Sequence, residues 1–239
     1  MKKCQGQSLV QFIILMPLFF SLLFGVFEMT YVYRAKATLN TATFEAARAG
    51  ALHHAQVGPM RTALSNGMIA EFVKGSTGIT GLGKGLIGSV AYEKLMNAKK
   101  ETISIVSPTK KMFDSFKVQR MYQLNSDKKE KFQWIMPNDN LNFRPTTTKN
   151  ITVAGTAQKI NIQDANLLKI KTYWCYKLKV PVLKTVIFNI IKGGFLGIAA
   201  SPEQKTCNLG ALLGGGEHMA ITSHAIVRMQ SPVVATNLK

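Results

Sequence analysis

The residues best able to do chemistry here are four histidines, three cysteines, twelve carboxylates and a cluster of glycines beside a lysine. Gly78-x4-Gly83-Lys84 has the letters of a phosphate-binding loop, but Gly85 stands where that loop places the Ser or Thr that ligates magnesium. Gly83-x-Gly85-x-x-Gly88 spells a dinucleotide fingerprint, yet no strand precedes it and no βαβ unit surrounds it. Both read as a flexible glycine-rich link over 75–85. His53 and His54 are adjacent, so on a helix they point apart and cannot share one metal. His218 and His224 lie six residues apart with no carboxylate or cysteine placed to complete a site. The carboxylates are scattered, without paired catalytic spacing, and no Ser-His-Asp or Cys-His arrangement stands out. The expectation is therefore no catalytic site, no metal and no cofactor.

The charge is more informative. Thirty Lys and Arg face twelve Asp and Glu in 239 residues, a formal net charge of +18. Residues 94–192 hold 19 basic and 6 acidic side chains, so 19 − 6 = +13 falls in that stretch. Such an excess points to anionic surroundings or an anionic partner. Apolar residues make up 46% of the chain, enough to build a core and too many for a disordered tail.

The elements that must position these residues begin with residues 9–27, LVQFIILMPLFFSLLFGVF, which carry no charge. A bilayer core about 30 Å thick takes roughly 20 apolar residues in a helix. The run is longer than the apolar region of a cleavable secretory signal, and no small-x-small site follows it, so it reads as a retained anchor. Lys2 and Lys3 favour a cytoplasmic amino terminus, which sends the rest of the chain across the membrane. The helix should continue, because residues 35–55 are rich in alanine and free of proline. Leu39, Ala42, Ala46 and Ala49 form one stripe, and Glu45 and Arg48 can pair at i, i+3. Gly58-Pro59 signals the stop. A helix from 7 to 56 would be roughly 75 Å long at 1.5 Å per residue. Pro17 should loosen its membrane part. The small-residue stripe suits close packing, either on neighbouring helices or on the protein's own domain.

Together, the basic leader KKCQG ending in Gly6, the apolar helix with Pro17 and Gly25-x-x-Glu28, and the block Glu45-Ala46-Ala47-Arg48-Ala49-Gly50 resemble the TadE-like pilus-assembly proteins. Those are minor pilins or pseudopilins of the tight-adherence (Flp, type IVc) pilus. The resemblance is strong over residues 1–51. It is weaker in the last third, where LKVPVL and the strand SHAIVRMQSPV fit the family's layout. It implies an inner-membrane protein whose leader is cut by a prepilin peptidase between Gly6 and Gln7. It also implies an anchoring helix, later packed among other pilins, that carries Pro17, Gly25, Glu28, Ala42, Glu45, Ala46, Arg48 and Ala49. The family places Glu-Phe where this chain has Gln11-Phe12. A carboxylate there can neutralise the new terminal amine in a low-dielectric setting, and an amide cannot. Two readings stay open. Gln7, once terminal, can cyclise to an uncharged lactam, or Gln11 simply sits near the headgroups, where an amide is tolerated.

The implied organisation is a leader over 1–6, a long helix over 7–57 with its membrane part at 9–33, and an exported α+β domain over 58–239. Loss of the leader removes Cys4, leaving Cys175 and Cys207 as an even pair in an oxidising compartment. They read as a disulfide rather than as two free thiols. Met60, Leu64, Met68 and Phe72 mark a helix over 59–74, and Leu86, Ile87, Val90, Ala91 and Leu95 a second over 84–99. Strands are expected at 103–105, 116–119, 168–180 and 221–229, with a loop over 137–150. In the third strand Leu168, Ile170, Trp174, Tyr176, Leu178 and Val180 alternate with Lys169, Lys171, Lys177 and Lys179, the pattern of a half-buried antiparallel strand with a basic outer face.

Three functions compete on these grounds. The first is a minor pilin that inserts its helix among pilin helices and works with the pilus-assembly machinery. The second is an unprocessed single-pass inner-membrane protein whose basic periplasmic domain binds an anionic surface, polymer or partner. The third, a tethered enzyme, has no catalytic constellation behind it. Sequence-specific nucleic-acid recognition lacks a supporting fold.

Overall fold

The structure is a computed structural model. It describes residues 7–73, 78–123, 130–139, 144–153, 155–181, 183–192, 199–214, 216–234 and 238. The fold is α+β: a long apolar amino-terminal helix followed by helices and antiparallel strands. The elements in chain order are α1 (Gln7–Leu52), α2 (Val57–Gly67), α3 (Gly78–Lys99), β1 (Ile103–Ser107), α4 (Lys110–Phe116), β2 (Val118–Tyr122), β3 (Lys131–Met136), β4 (Lys149–Val153), β5 (Thr156–Ile160), α5 (Ile162–Ala165), β6 (Leu167–Lys177), α6 (Leu183–Ile191), α7 (Pro202–Gly214), β7 (His218–Arg228) and β8 (Val233–Val234). A 3-10 turn, Ile69–Glu71, follows α2. Strand orders are β1-β6-β7, β2-β3-β8 and β4-β5.

The chain divides into two compact units, Met1–Ala37 with Cys175–Ile221, and Thr38–Trp174 with Thr222–Lys239. In the second unit the carboxyl half of α1 forms the core. Leu39, Ala42, Ala46, Ala47 and Ala51 have no exposed surface. Gly67 of α2 lies against Ala42, so close that a Cβ on Gly67 would fall 2.5 Å from the Ala42 Cβ and 2.7 Å from its Cα. Thr43 and Thr172 share a hydrogen bond of 2.7 Å, which joins α1 to β6. β1 pairs antiparallel with β6, Ile103 opposite Thr172 and Ile105 opposite Ile170. The rings of Phe72, Tyr92 and Trp174 meet at 5.3–6.2 Å. Burial, with Tyr173 adding to it, pushes the Tyr92 hydroxyl far above the usual tyrosine range.

Several sequence expectations are corrected. α1 stops at Leu52, not 56, because His54 and Ala55 turn into the left-handed region with φ of 57° and 58°. The turn is held by backbone bonds from Gln230 and Ser231 to the Ala51 carbonyl and by Ser231, whose hydroxyl accepts from the His54 N–H at 2.8 Å. At 46 residues the helix is roughly 69 Å long. Gly58-Pro59 lies inside the first turn of α2, where a proline loses no intrahelical bond. Phe116 closes α4, so the strand expected at 116 begins at Val118. β6 ends at Lys177, β7 starts three residues early at His218, and the 137–150 loop gives way to β4 at Lys149.

The largest correction concerns α3. Gly78 to Gly85 form its opening turns instead of a link. The face turned inward is not the expected leucine-rich one. Gly81, Gly85, Ser89, Glu93 and Met96 are buried, whereas Leu86, Ile87 and Leu95 are exposed. A Cβ on Gly85 would lie 2.8 Å from Val73 Cγ2 and 2.9 Å from Ile69 Cγ2, and one on Gly88 3.1 Å from the Phe72 ring. The glycines serve close packing on the preceding turn rather than flexibility.

Candidate membrane-anchor and assembly site

The amino half of α1 carries the apolar run. It is the one helix among the described residues long and apolar enough to cross a membrane, and none of its most apolar window is buried. Phe12, Ile14, Leu18 and Leu22 are 59–68% exposed. Pro17 is accommodated within the unbroken helix. Gln11 is exposed. Gly6 lies outside the described residues, as does Cys4, and Gln7 opens α1. A Cβ on Gly25 would meet nothing within 4 Å.

Glu28 breaks this pattern. It is an acidic residue with no accessible surface, on a helix whose neighbouring turns are exposed and apolar. An isolated buried carboxylate is costly, so it must have donors. It does. Val180 N–H donates to Oε2 at 2.7 Å, and Lys179 N–H donates to Oε1 and Oε2 at 3.2 and 3.3 Å. The local sequence explains why those donors point to Glu28. β6 ends at Lys177, and Leu178 N–H turns to the Glu217 carbonyl at 2.9 Å. Pro181 has no N–H to give, which leaves the amides of Lys179 and Val180 for Glu28. Charge-assisted bonds of this kind are among the stronger ones. The Lys179 ammonium lies 5.3 Å from the Tyr31 ring and 5.2 Å from the Tyr176 ring, so it is held by aromatic faces.

Cys175 and Cys207 form a disulfide, with Cα atoms 5.5 Å apart and a sequence separation of 32. It closes the excursion that contains the Glu28-bound segment, α6 and the start of α7. Gln204 locks the return, donating to the His218 carbonyl at 2.9 Å and accepting from Ala220 N–H at 2.8 Å.

The other expected residues fall in different places. Glu45 and Arg48 are exposed and pair at 3.7 Å, and Arg48 also lies over the Phe44 ring. Ala42 and Ala46 are wholly buried in the second unit and Ala49 is half-buried, so this part of the stripe packs on the protein's own domain. Lys169 and Lys171 are half-exposed in that unit, while Lys177 and Lys179 belong to the other. Thr172 to Tyr176 are buried on both faces of β6, so the apolar–lysine alternation holds only at its start, over Leu168 to Lys171.

The candidate chemical motifs take structural roles. The Gly78–Lys84 letters are helical, so their backbone N–H groups cannot form a phosphate cradle. His54 Nδ1 bonds the Pro232 carbonyl at 2.9 Å, and His218 Nδ1 bonds the Gly216 carbonyl at 3.0 Å. Burial holds the His218 imidazole below its ordinary value, opposed by the Gly216 bond and helped by Lys177. Asp139 is held below the usual carboxylate range, first by the Arg144 hydrogen bond and also by Arg120, against desolvation. Among the described residues no group of three His, Cys, Asp or Glu could hold a metal ion.

Sequence reasoning missed two parts of this site: the capture of residues 179–180 by Glu28, and α6. For α6 a signal was present, since Leu183, Val186, Ile187 and Ile190 follow the i, i+3, i+4, i+7 pattern just after a proline.

An uncovered apolar helix with one paired carboxylate, long enough to cross a membrane, leads into a small α+β domain. Residues 6–48 match the family described as TadE-like protein. That segment covers the apolar half of α1, Glu28 and the Glu45–Arg48 pair. It supports involvement in assembly of a tight-adherence pilus and interaction with other pilus components. No curated protein and no solved structure matches the chain.

Proposed function

We propose that the chain is a membrane-anchored minor pilin, or pseudopilin, of a tight-adherence pilus. The observation that carries this reading is the coincidence of the TadE-like segment, residues 6–48, with a helix whose apolar half no part of the protein covers. In this reading α1 is a single-pass inner-membrane anchor with its amino terminus in the cytoplasm, and the α+β domain works in the periplasm. A prepilin peptidase cuts between Gly6 and Gln7. The freed helix then packs among other pilin helices, and the exposed Glu45–Arg48 edge is available to neighbours. The fifteen exposed large apolar residues between Val10 and Tyr33 would then pack on neighbouring helices through van der Waals contact, since lipid is as apolar as they are.

Leader cleavage tests it. Mass analysis of the native protein should find an amino terminus at Gln7, and its mass separates an open amine from the cyclised lactam. Gly6→Leu should leave the leader on and abolish incorporation of the protein into sheared pilus fractions. A native protein that keeps its leader, stays in the membrane and is absent from sheared pili would end the minor-pilin reading and leave the unprocessed single-pass protein.

A further inference from the structure

α6 (Leu183–Ile191) is apolar, amphipathic and has no buried residue. Leu183, Val186, Ile187 and Ile190 share one side of it by spacing, and Thr185, Asn189 and Lys192 share the other. Val186 is 52% exposed and Ile190 41%. No residue of this nine-residue helix is fully buried, and a helix so short and so lightly packed offsets in water little of the entropy of ordering it. Yet it is held firmly at both ends. Thr185 donates to Glu217 Oε1 at 2.8 Å, Lys184 lies 3.7 Å from Glu217 Oε2, and Asn208 Nδ2 donates to the Lys192 carbonyl at 3.3 Å. The chain before it is fixed by Glu28 and the whole excursion is closed by the disulfide.

Its position along α1 identifies its solvent. Val10 to Glu28 rises roughly 28 Å in a helix, close to the ~30 Å of a bilayer's apolar core. Glu28, and the segment it holds, therefore mark the far boundary of the membrane. Leu183 and Ile187 share an apolar groove with Leu22, Gly25, Val26, Met29, Thr30 and Tyr33 of α1, residues that straddle that boundary. Tyr31 and Tyr33 follow directly, as aromatic residues do at a membrane interface. Lys179, Lys184 and Lys192 ring the helix, the sign of charge that anionic headgroups attract.

We infer that α6 is a second membrane contact, an interfacial helix lying in the outer leaflet with its apolar side in the acyl chains and its occupant the phospholipid bilayer. The inference rests on α1 spanning that bilayer. It gives the disulfide-closed segment its own hold on the membrane beside the crossing helix.

Site-directed spin labelling of the full chain tests it. In a Cys4→Ser background that keeps the disulfide, one cysteine is placed at a time by Leu22→Cys, Val186→Cys, Asn189→Cys or Ile190→Cys. The labelled chain is reconstituted in vesicles of phosphatidylethanolamine and phosphatidylglycerol. Retention of the 175–207 disulfide checks that each variant is folded. Labels at 186 and 190 should collide more often with oxygen than with a water-soluble nickel chelate, as at 22, and the label at 189 should show the reverse. Nickel-accessible labels at 186 and 190 with a lipid-buried label at 22 would overturn the inference and leave the anchor standing. A water-exposed label at 22 would overturn both. Labels at 186 and 190 shielded from both reagents, with spin–spin broadening removed by diluting into unlabelled protein, would show a second copy covering α6 and would also overturn it.

Discussion

Glu28 shows how one side chain can be tolerated where its charge is least welcome. Its carboxylate accepts three hydrogen bonds from two consecutive backbone amides just past the end of β6. Glu28→Ala would take this acceptor from both amides, at about 1–3 kcal/mol for the buried Val180 N–H. Hydrogen exchange at Lys179 and Val180 should accelerate sharply in that variant, while Glu28→Gln, which keeps an acceptor, should show a smaller effect. Unchanged protection of these two amides in Glu28→Ala would contradict the geometry. Glycines make a second test at this scale. Gly67→Ala drives a methyl into the Ala42 backbone and should cost about 1–3 kcal/mol of stability by overpacking. Gly25→Ala meets open space and should be neutral or slightly stabilising, by up to ~1 kcal/mol from helix propensity. Thermal unfolding of the two variants in detergent gives the comparison.

Among the elements, the disulfide and α6 belong together. The covalent bond between Cys175 and Cys207 brackets a helix that has no buried residue of its own. Closing a loop of this length stabilises by roughly 3–4 kcal/mol through the entropy taken from the unfolded chain. Reduction, or Cys207→Ser, should lower the unfolding temperature of the detergent-solubilised protein and expose residues 178–192 to proteolysis first. Equal stability of the oxidised and reduced forms would count against that role. α3 teaches the opposite lesson about reading elements. Its leucines and isoleucine advertised an inward face, but Gly81, Gly85 and Ser89 go inside because only small residues let the helix approach the Ile69–Val73 segment. Periodicity locates a helix, whereas the choice of face depends on the shape of the partner it packs against.

At the scale of the whole molecule, the 239-residue chain is strongly basic, with a net charge of +18. Its acid sensitivity follows from His218. The folded state holds this imidazole below its ordinary 6.5, so the unfolded chain takes up the proton first as the pH falls. Stability should therefore decline once the pH drops below about 6.5, and go on declining until the folded imidazole is protonated too. Melting temperatures at about pH 7.5 and about pH 5 should differ less in His218→Gln than in the wild type. An identical acid slope in the two proteins would remove His218 as its source.

What the sequence by itself determined is the part of the protein whose physics is local. Insertion in lipid depends on some twenty consecutive apolar residues, and these are present at 9–27. Helix continuation through the alanine-rich stretch depends on propensity, and the α+β character on short-range alternation. The pairing of Cys175 with Cys207 followed from number and compartment. Only the tertiary structure decided the rest. The destination of the 179 and 180 amides, the burial of the Ala42–Ala46 stripe within the protein's own domain, the inward face of α3 and the uncovered state of α6 all depend on contacts between residues far apart in the chain. Such contacts are set by shape and by which hydrogen-bonding groups are left over once the sheet ends, and neither quantity is written in any local window of residues.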